Sequence, residues 1–112
     1  MGSTKHFHYS EETTAISLFG RAFAHPCRIK MVELLIEAKT LNNQEFSHYF
    51  GMTRSTIHDH LVKLWQAGVI EIESCEAGTL VSLNMEQLDF IRQLISLFSF
   101  QTKDAYHLGV LD

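Results

Sequence analysis

Apolar residues recur at helical spacing through most of the chain. After the polar stretch MGSTKHFHY, Ile16, Phe19, Ala22 and Phe23 fall at helical offsets, joined by Ala15 and Leu18. This predicts a first helix, apolar over nearly half its circumference. Ser10 stands as its N-cap, and Glu11 and Glu12 occupy the first turn, where the positive helix end favours acids. HPCRIKMVELLIEAK restarts the pattern with Pro26 at a first-turn position. Its expected buried stripe is Ile29, Val32, Leu35 and Ile36, helped by Met31 and Leu34. Thr40 and Leu41 read as a short extended link. Asn42 or Asn43 then caps a short third helix, QEFSHYF, with Phe46 and Phe50 on one face and Gly51 as its terminator.

Thr53 caps a fourth helix, whose buried face is centred on Ile57 with Leu61, Leu64 and Trp65 near it, and which Gly68 closes. VIEIES alternates apolar and acidic residues as a half-buried strand does. CEAG is a turn, and TLVSLN returns as a second strand. Asn84 opens a last helix, MEQLDFIRQLISLFSFQ, and TKDAYHLGVLD carries no clear period. The expected class is mainly α with a small β-hairpin, in the order α-α-α-α-β-β-α: a winged helix-turn-helix. Residues 10–101 form that domain, with a flexible N-terminal tail at 1–9 and a C-terminal tail at 102–112.

A length of 112 residues allows one domain with a modest core, and 46% apolar residues argue against disorder. The net charge of -4, from 9 Lys and Arg against 13 Asp and Glu, argues against a non-specific nucleic-acid coat. A specific DNA reader needs only a local positive patch and stays open. Cys27 and Cys75 form no CxxC, which fits a reducing compartment better than a disulfide framework. No basic start leads into an apolar stretch, and no run reaches the roughly 18 apolar residues of a membrane span. The cytoplasm is therefore the expected location, with no membrane partner.

On the fourth helix, Ser55, Asp59 and Val62 point most directly outward, flanked by Thr56, His58 and Lys63. Thr53 and Arg54 sit at its N-terminus, where free backbone N–H groups favour phosphate. EFSHYFGMTRSTIHDHLVKLWQAGVIE resembles the winged helix-turn-helix of the ArsR family of bacterial transcriptional repressors, over roughly residues 15 to 98. HPCRIKMVELL resembles that family's second helix. STIHDHLVKLWQAGVI resembles its recognition helix, with Ser55, Thr56, Ile57, His60, Leu61, Leu64, Gly68 and Val69 at matching places.

The resemblance implies double-stranded DNA as partner and Thr53, Arg54, Ser55, Thr56, His58, Asp59 and Lys63 as contact residues. Each has a plainer alternative. The first four also serve as cap and surface, His58 and Lys63 as solvated side chains, and His60 reads as a half-buried support rather than a base reader. Asp59 repels phosphate, yet a carboxylate there can accept from cytosine N4; otherwise it orients the helix or is a tolerated surface charge. The wing departs from the family pattern: ESCEAGTL has two acids and no base, so affinity would rest on the recognition helices, with help from Arg28, Lys30 or Lys39.

The family's best-known members release DNA on binding metal. One site type uses paired cysteines at the start of the third helix, where this chain has TLNNQEF. Another uses Asp and His on the closing helix, which here offers Glu86 and Asp89 but no histidine before His107. His58 and His60 lie about 200° apart around a helix and cannot chelate one ion together. No metal site and no cofactor are expected. Cys27 and Cys75 are either a redox switch or plain core and surface residues, so a small-molecule or redox inducer stays open. No nucleophile–base–acid set or phosphate-cradling glycine run appears, and an enzyme is not expected.

On the last helix, Leu88, Phe90, Ile91, Leu94, Ile95, Leu97 and Phe98 cover about half the circumference, more than one small domain needs. The broad first helix adds to that surplus. The expected arrangement is a homodimer through the first and last helices, with Ile16, Phe19, Phe23, Leu88, Ile91, Leu94, Ile95 and Phe98 at the interface. The leading functional expectation is a sequence-specific, homodimeric DNA-binding repressor without the usual metal sites. The alternative is a winged-helix protein-interaction module that has lost DNA binding.

Overall fold

The computed structural model describes residues 7–76 and 78–107, with side chains as far as residue 96. Five helices and three strands follow in the order α1 (Glu11–Ala22), α2 (Pro26–Ala38), β1 (Thr40–Asn42), α3 (Asn43–Phe50), α4 (Arg54–Gln66), β2 (Ile70–Cys75), β3 (Gly78–Leu83) and α5 (Met85–His107). This is a winged helix-turn-helix, mainly helical.

Local chemistry sets most boundaries. The Ser10 hydroxyl accepts from the Thr13 N–H at 3.1 Å, opening α1 over Glu11 and Glu12. Asn42 and Glu45 form a reciprocal capping box at α3, with bonds of 2.7 and 2.9 Å. Gly51 ends α3 in the left-handed region at φ 65°, which an L side chain adopts only with strain. Thr53 caps α4 through the Thr56 N–H at 3.2 Å. α2 starts on a less familiar cap: the His25 Nδ1 accepts from the Cys27 N–H at 3.1 Å, with Pro26 at the first helical position.

The sheet has three strands rather than the expected two. β1 pairs antiparallel with β3, Leu41 opposite Val81, and β3 pairs with β2, Ile72 opposite Val81, giving the order β1-β3-β2. The Thr40–Asn42 link is thus a strand whose only partner is remote in sequence. β2 also departs from the half-buried alternation: only Ile70 is buried, and Ile72 is exposed, because the strand runs out past the core into the wing. α5 continues to His107, past the Gln101 at which the apolar period ends.

The core gathers Ala22 from α1, Met31 and Leu35 from α2, and Phe46 from α3. Ile57, Leu61 and Leu64 from α4, Val69, Ile70 and Val81 from the sheet region, and Ile91 from α5 join it, with Cys27, Val32 and Ala67 at its margin. α2 is rotated from its expected setting. Cys27, Met31, Val32 and Leu35 are buried, whereas Ile29 is exposed and Ile36 is 62% exposed. Trp65, expected near the buried face of α4, is 58% exposed. In both helices the period is right and the centre of the stripe is shifted by what packs against it.

Candidate nucleic-acid interface

α3, Gly51, Met52 and α4 form the helix-turn-helix. The turn is held by two contacts across it: the Met52 N–H donates to the Ser47 carbonyl at 3.2 Å, and the Ser47 hydroxyl donates to the Met52 carbonyl. Ile57, Leu61 and Leu64 anchor α4 in the core. Helical geometry then turns the residues between them outward. Thr53, Arg54, Ser55, Thr56, His58, Asp59 and Lys63 are all exposed. Val62, expected among the outward residues, is half-buried instead.

The N-terminal end of this face is polar and open. The Thr53 and Thr56 hydroxyls lie 3.0 Å apart, so both are engaged locally while remaining at the surface. A polar cleft of about 260 Å³ lies beside them, lined by Asn42, Asn43, Gln44, Arg54, Gly78 and Thr79. It brings the start of α3, the start of α4 and the turn end of β3, at the tip of the wing, to one place. Asn43, expected only as an alternative cap of α3, and Gln44 are therefore neighbours of Arg54 that the sequence pattern did not place in the interface. Their signal was present only as polar residues at a helix start.

Charge on this side is mixed. Arg54 and Lys63 are the cations of the exposed α4 face, with Asp59 between them. The wing adds exposed Glu71, Glu73 and Glu76. The supporting cations expected on α2 are committed elsewhere. Lys30 pairs with Glu33 at 3.4 Å, and that contact raises its pKa above the ordinary lysine value. Arg28 is bound within the domain. Its Nε donates to the Ala22 carbonyl at 2.7 Å and its Nη2 to the Arg21 carbonyl at 3.0 Å. Its Nη1 lies 3.0 Å from the His60 Nδ1. Arg28 thus caps the C-terminal carbonyls of α1 and touches α4, a role that sequence position alone does not reveal.

His60 is half-buried, as expected of a support, and its ring lies 4.7 Å from that of His25. Cys27 is buried, and burial raises its thiol pKa against the lowering influence of Arg28, which disfavours a reactive thiolate. Cys75 is exposed on the wing, its Sγ donating to the Gly78 carbonyl at 3.1 Å. Both cysteines are free. Among the described residues, no group of three or more His, Cys, Asp and Glu side chains converges as a metal site. Among them, too, no helix is long and apolar enough to cross a membrane.

The candidate interface residues divide by burial. Ile16, Phe19, Phe23 and Leu88 are half-buried, and Ile95 is 42% exposed. Ile91 and Leu94 are already buried within one chain and offer little surface to a second. The Phe98 side chain lies outside the described residues. Phe19, Phe23, Val32, Ile36, Leu88 and Ile95 line an open apolar groove of about 340 Å³ between α1, α2 and α5. Ile36, exposed on α2, joins this surface although its helix was expected to bury it.

Known proteins place this architecture. The family model described as "Bacterial regulatory protein, arsR family" matches residues 25–71, from the cap of α2 into β2. No curated protein matches the chain in sequence. Among solved structures, the chain is similar to an ArsR-like transcriptional regulator from Rhodococcus sp. RHA1, with a TM-score of 0.70 and 14% identity over 88% of this chain and 90% of that one. It is similar to the transcriptional repressor PagR of Bacillus anthracis, with a TM-score of 0.56 and 25% identity over 75% of this chain and 93% of that one. HlyU from Vibrio cholerae N16961 superposes with a TM-score of 0.62 and 18% identity, covering 81% of this chain and 99% of that one. Residues 25–71, which contain the helix-turn-helix, match the ArsR family model, and the chain carries them on a winged fold like that of the transcriptional regulators it superposes on.

Proposed function

We propose that the chain is a sequence-specific DNA-binding transcriptional regulator that acts as a homodimer and represses by occluding its promoter. The observation that carries this reading is the exposed face of α4. Seven polar or charged residues, Thr53, Arg54, Ser55, Thr56, His58, Asp59 and Lys63, stand clear of the domain on a helix anchored by Ile57, Leu61 and Leu64. In this reading Thr53, Arg54 and Lys63 hold phosphates, while Ser55, Thr56, His58 and Asp59 face base edges. The similarity to a protein named as a transcriptional repressor supports the repressive role.

Dimerisation brings two such helices to one duplex. α1 and α5 supply the face, with Ile16, Phe19, Phe23, Leu88 and Ile95 the interface residues left at least partly accessible. The apolar groove that Phe19, Phe23, Leu88 and Ile95 share with Ile36 supports this choice of surface. A two-fold pair of recognition helices reads half-sites about one DNA turn apart. The regulator works in the cytoplasm, without the metal sites of the family's best-known members; the exposed Cys75 leaves a redox inducer open beside a small-molecule one.

One observation favours a second reading, a winged-helix protein-interaction module. The wing exposes Glu71, Glu73 and Glu76, and α4 exposes Asp59, acids that repel phosphate. Gel-shift titration against the duplex upstream of the chain's own gene, over a salt series, separates the two. The DNA-binding reading requires a shift that weakens with salt and that the paired substitutions Arg54→Ala and Ser55→Ala diminish without unfolding the dimer. Absence of any shift at low salt sinks it.

A further inference from the structure

A buried-edge corner joins the end of α1, the start of α2 and the middle of α4. Arg28 is its hub, donating to the Ala22 and Arg21 carbonyls on one side and facing the His60 Nδ1 at 3.0 Å on the other. An arginine side chain has no acceptor, so at this contact His60 must be the acceptor. Its Nδ1 therefore carries a lone pair, and its proton sits on Nε2. The same holds for His25, whose Nδ1 accepts the Cys27 N–H at the start of α2. Two histidine rings, 4.7 Å apart, are thus each tied to the fold by an unprotonated nitrogen.

We infer that His60 is a positioning residue for the recognition helix, tying α4 to the α1–α2 corner through Arg28 only while its Nδ1 is unprotonated, so that mild acid loosens the helix and weakens specific DNA binding. The inference rests on the DNA-binding reading above. Protonation turns the Nδ1 acceptor into a donor and sets an imidazolium against a guanidinium. The titratable and charged groups that bear on His60 are His25 and Arg28 from the corner and Asp59 from its own helix. Burial, then His25 and Arg28, lower the His60 pKa below the ordinary histidine value, and only Asp59 acts the other way. The neutral form is thus favoured in the folded chain. Its contribution is complete above the ordinary histidine value and is lost as pH falls from there through the lower folded value. α1 is also one of the two proposed dimer helices, so the tether links the dimer face to the DNA-reading face.

The test compares wild type with His60→Asn and His60→Leu. Asn places a non-titrating amide oxygen near the Nδ1 position, whereas Leu removes the acceptor at similar bulk. Affinity for the duplex upstream of the chain's own gene, and the urea midpoint without DNA, are measured from about pH 7.5 to about pH 5.5. The expected result is that wild type loses affinity relative to His60→Asn by on the order of tenfold on acidification, about the worth of one charge-assisted hydrogen bond. Its urea midpoint falls further than that of His60→Asn, and His60→Leu binds weakly at every pH. Parallel pH profiles for wild type and His60→Asn overturn the inference. The urea series keeps the two levels apart: absence of wild-type DNA binding at about pH 7.5 overturns the DNA-binding reading, whereas equal midpoint losses overturn the tether itself.

Discussion

Gln87, in the first turn of α5, donates its side-chain N–H to the carbonyl of Ala67, the C-cap of α4, at 3.1 Å. Beside it the Asn84 N–H donates to the Val69 carbonyl at 2.8 Å. The end of the recognition helix is therefore held by the beginning of the closing helix, on the side where dimerisation is proposed. Gly68 lies between them at φ 73°, and a Cβ there would stand 3.2 Å from the Gln87 Cγ. Gly68→Ala should cost about 1–2 kcal/mol from left-handed backbone strain. Gln87→Ala should cost about 1 kcal/mol through removal of its hydrogen bond. In urea unfolding the double variant should lose less than the sum, because removing Gln87 relieves the crowding at position 68.

Ile57 and Trp65 test the orientation of α4. Ile57 is fully buried, and Ile57→Ala should cost about 2–5 kcal/mol. Trp65→Ala, at an exposed position, should change stability by no more than about 0.5 kcal/mol. Comparable destabilisation of the two variants in thermal unfolding would contradict the exposed placement of Trp65.

The reciprocal cap at α3 stands at the mouth of the polar cleft beside Arg54. Asn42→Ala should destabilise the domain by about 1 kcal/mol. Hydrogen exchange should quicken first in α3, and Asn42→Ser, which keeps a capping oxygen, should restore most of the protection.

Association should depend on the apolar face and not on the core beneath it. Ile36→Asp and Ile95→Asp place a charge on exposed positions of the groove. Sedimentation should show each variant as a monomer at concentrations where wild type is dimeric, with helical circular dichroism retained. A dimer undisturbed by both substitutions would rule out this face as the interface.

Features carried by neighbouring residues were legible in the sequence. Ser10, Thr53 and Gly51 act as caps or terminators as their positions suggest, because each bond closes within a few residues. What depends on remote partners was not. β1 exists only through its pairing with β3, some forty residues on, and three residues carry no usable period. The stripes on α2 and α4 had the right spacing, but Ile36 and Trp65 face outward because tertiary packing, not periodicity, chooses the centre of a stripe. Arg28 read as a spare cation, and only the fold brings it against the end of α1 and His60. The exposure of Thr53, Arg54, Ser55, Thr56, His58, Asp59 and Lys63 was legible from the spacing of Ile57, Leu61 and Leu64, whereas the half-burial of Val62 was not, since it depends on what packs beside the helix.

The central claim is that the N-terminal end of α4 grips DNA. The most direct measurement is the salt dependence of binding to the upstream duplex, for wild type and Arg54→Ala. The expected result is a linear fall of log affinity with log salt. Arg54→Ala should bind more weakly, with the slope reduced by about one for each phosphate that the arginine no longer neutralises, hence by about two in a dimer. No wild-type binding at low salt, or an Arg54→Ala variant with unchanged affinity and slope, would contradict it.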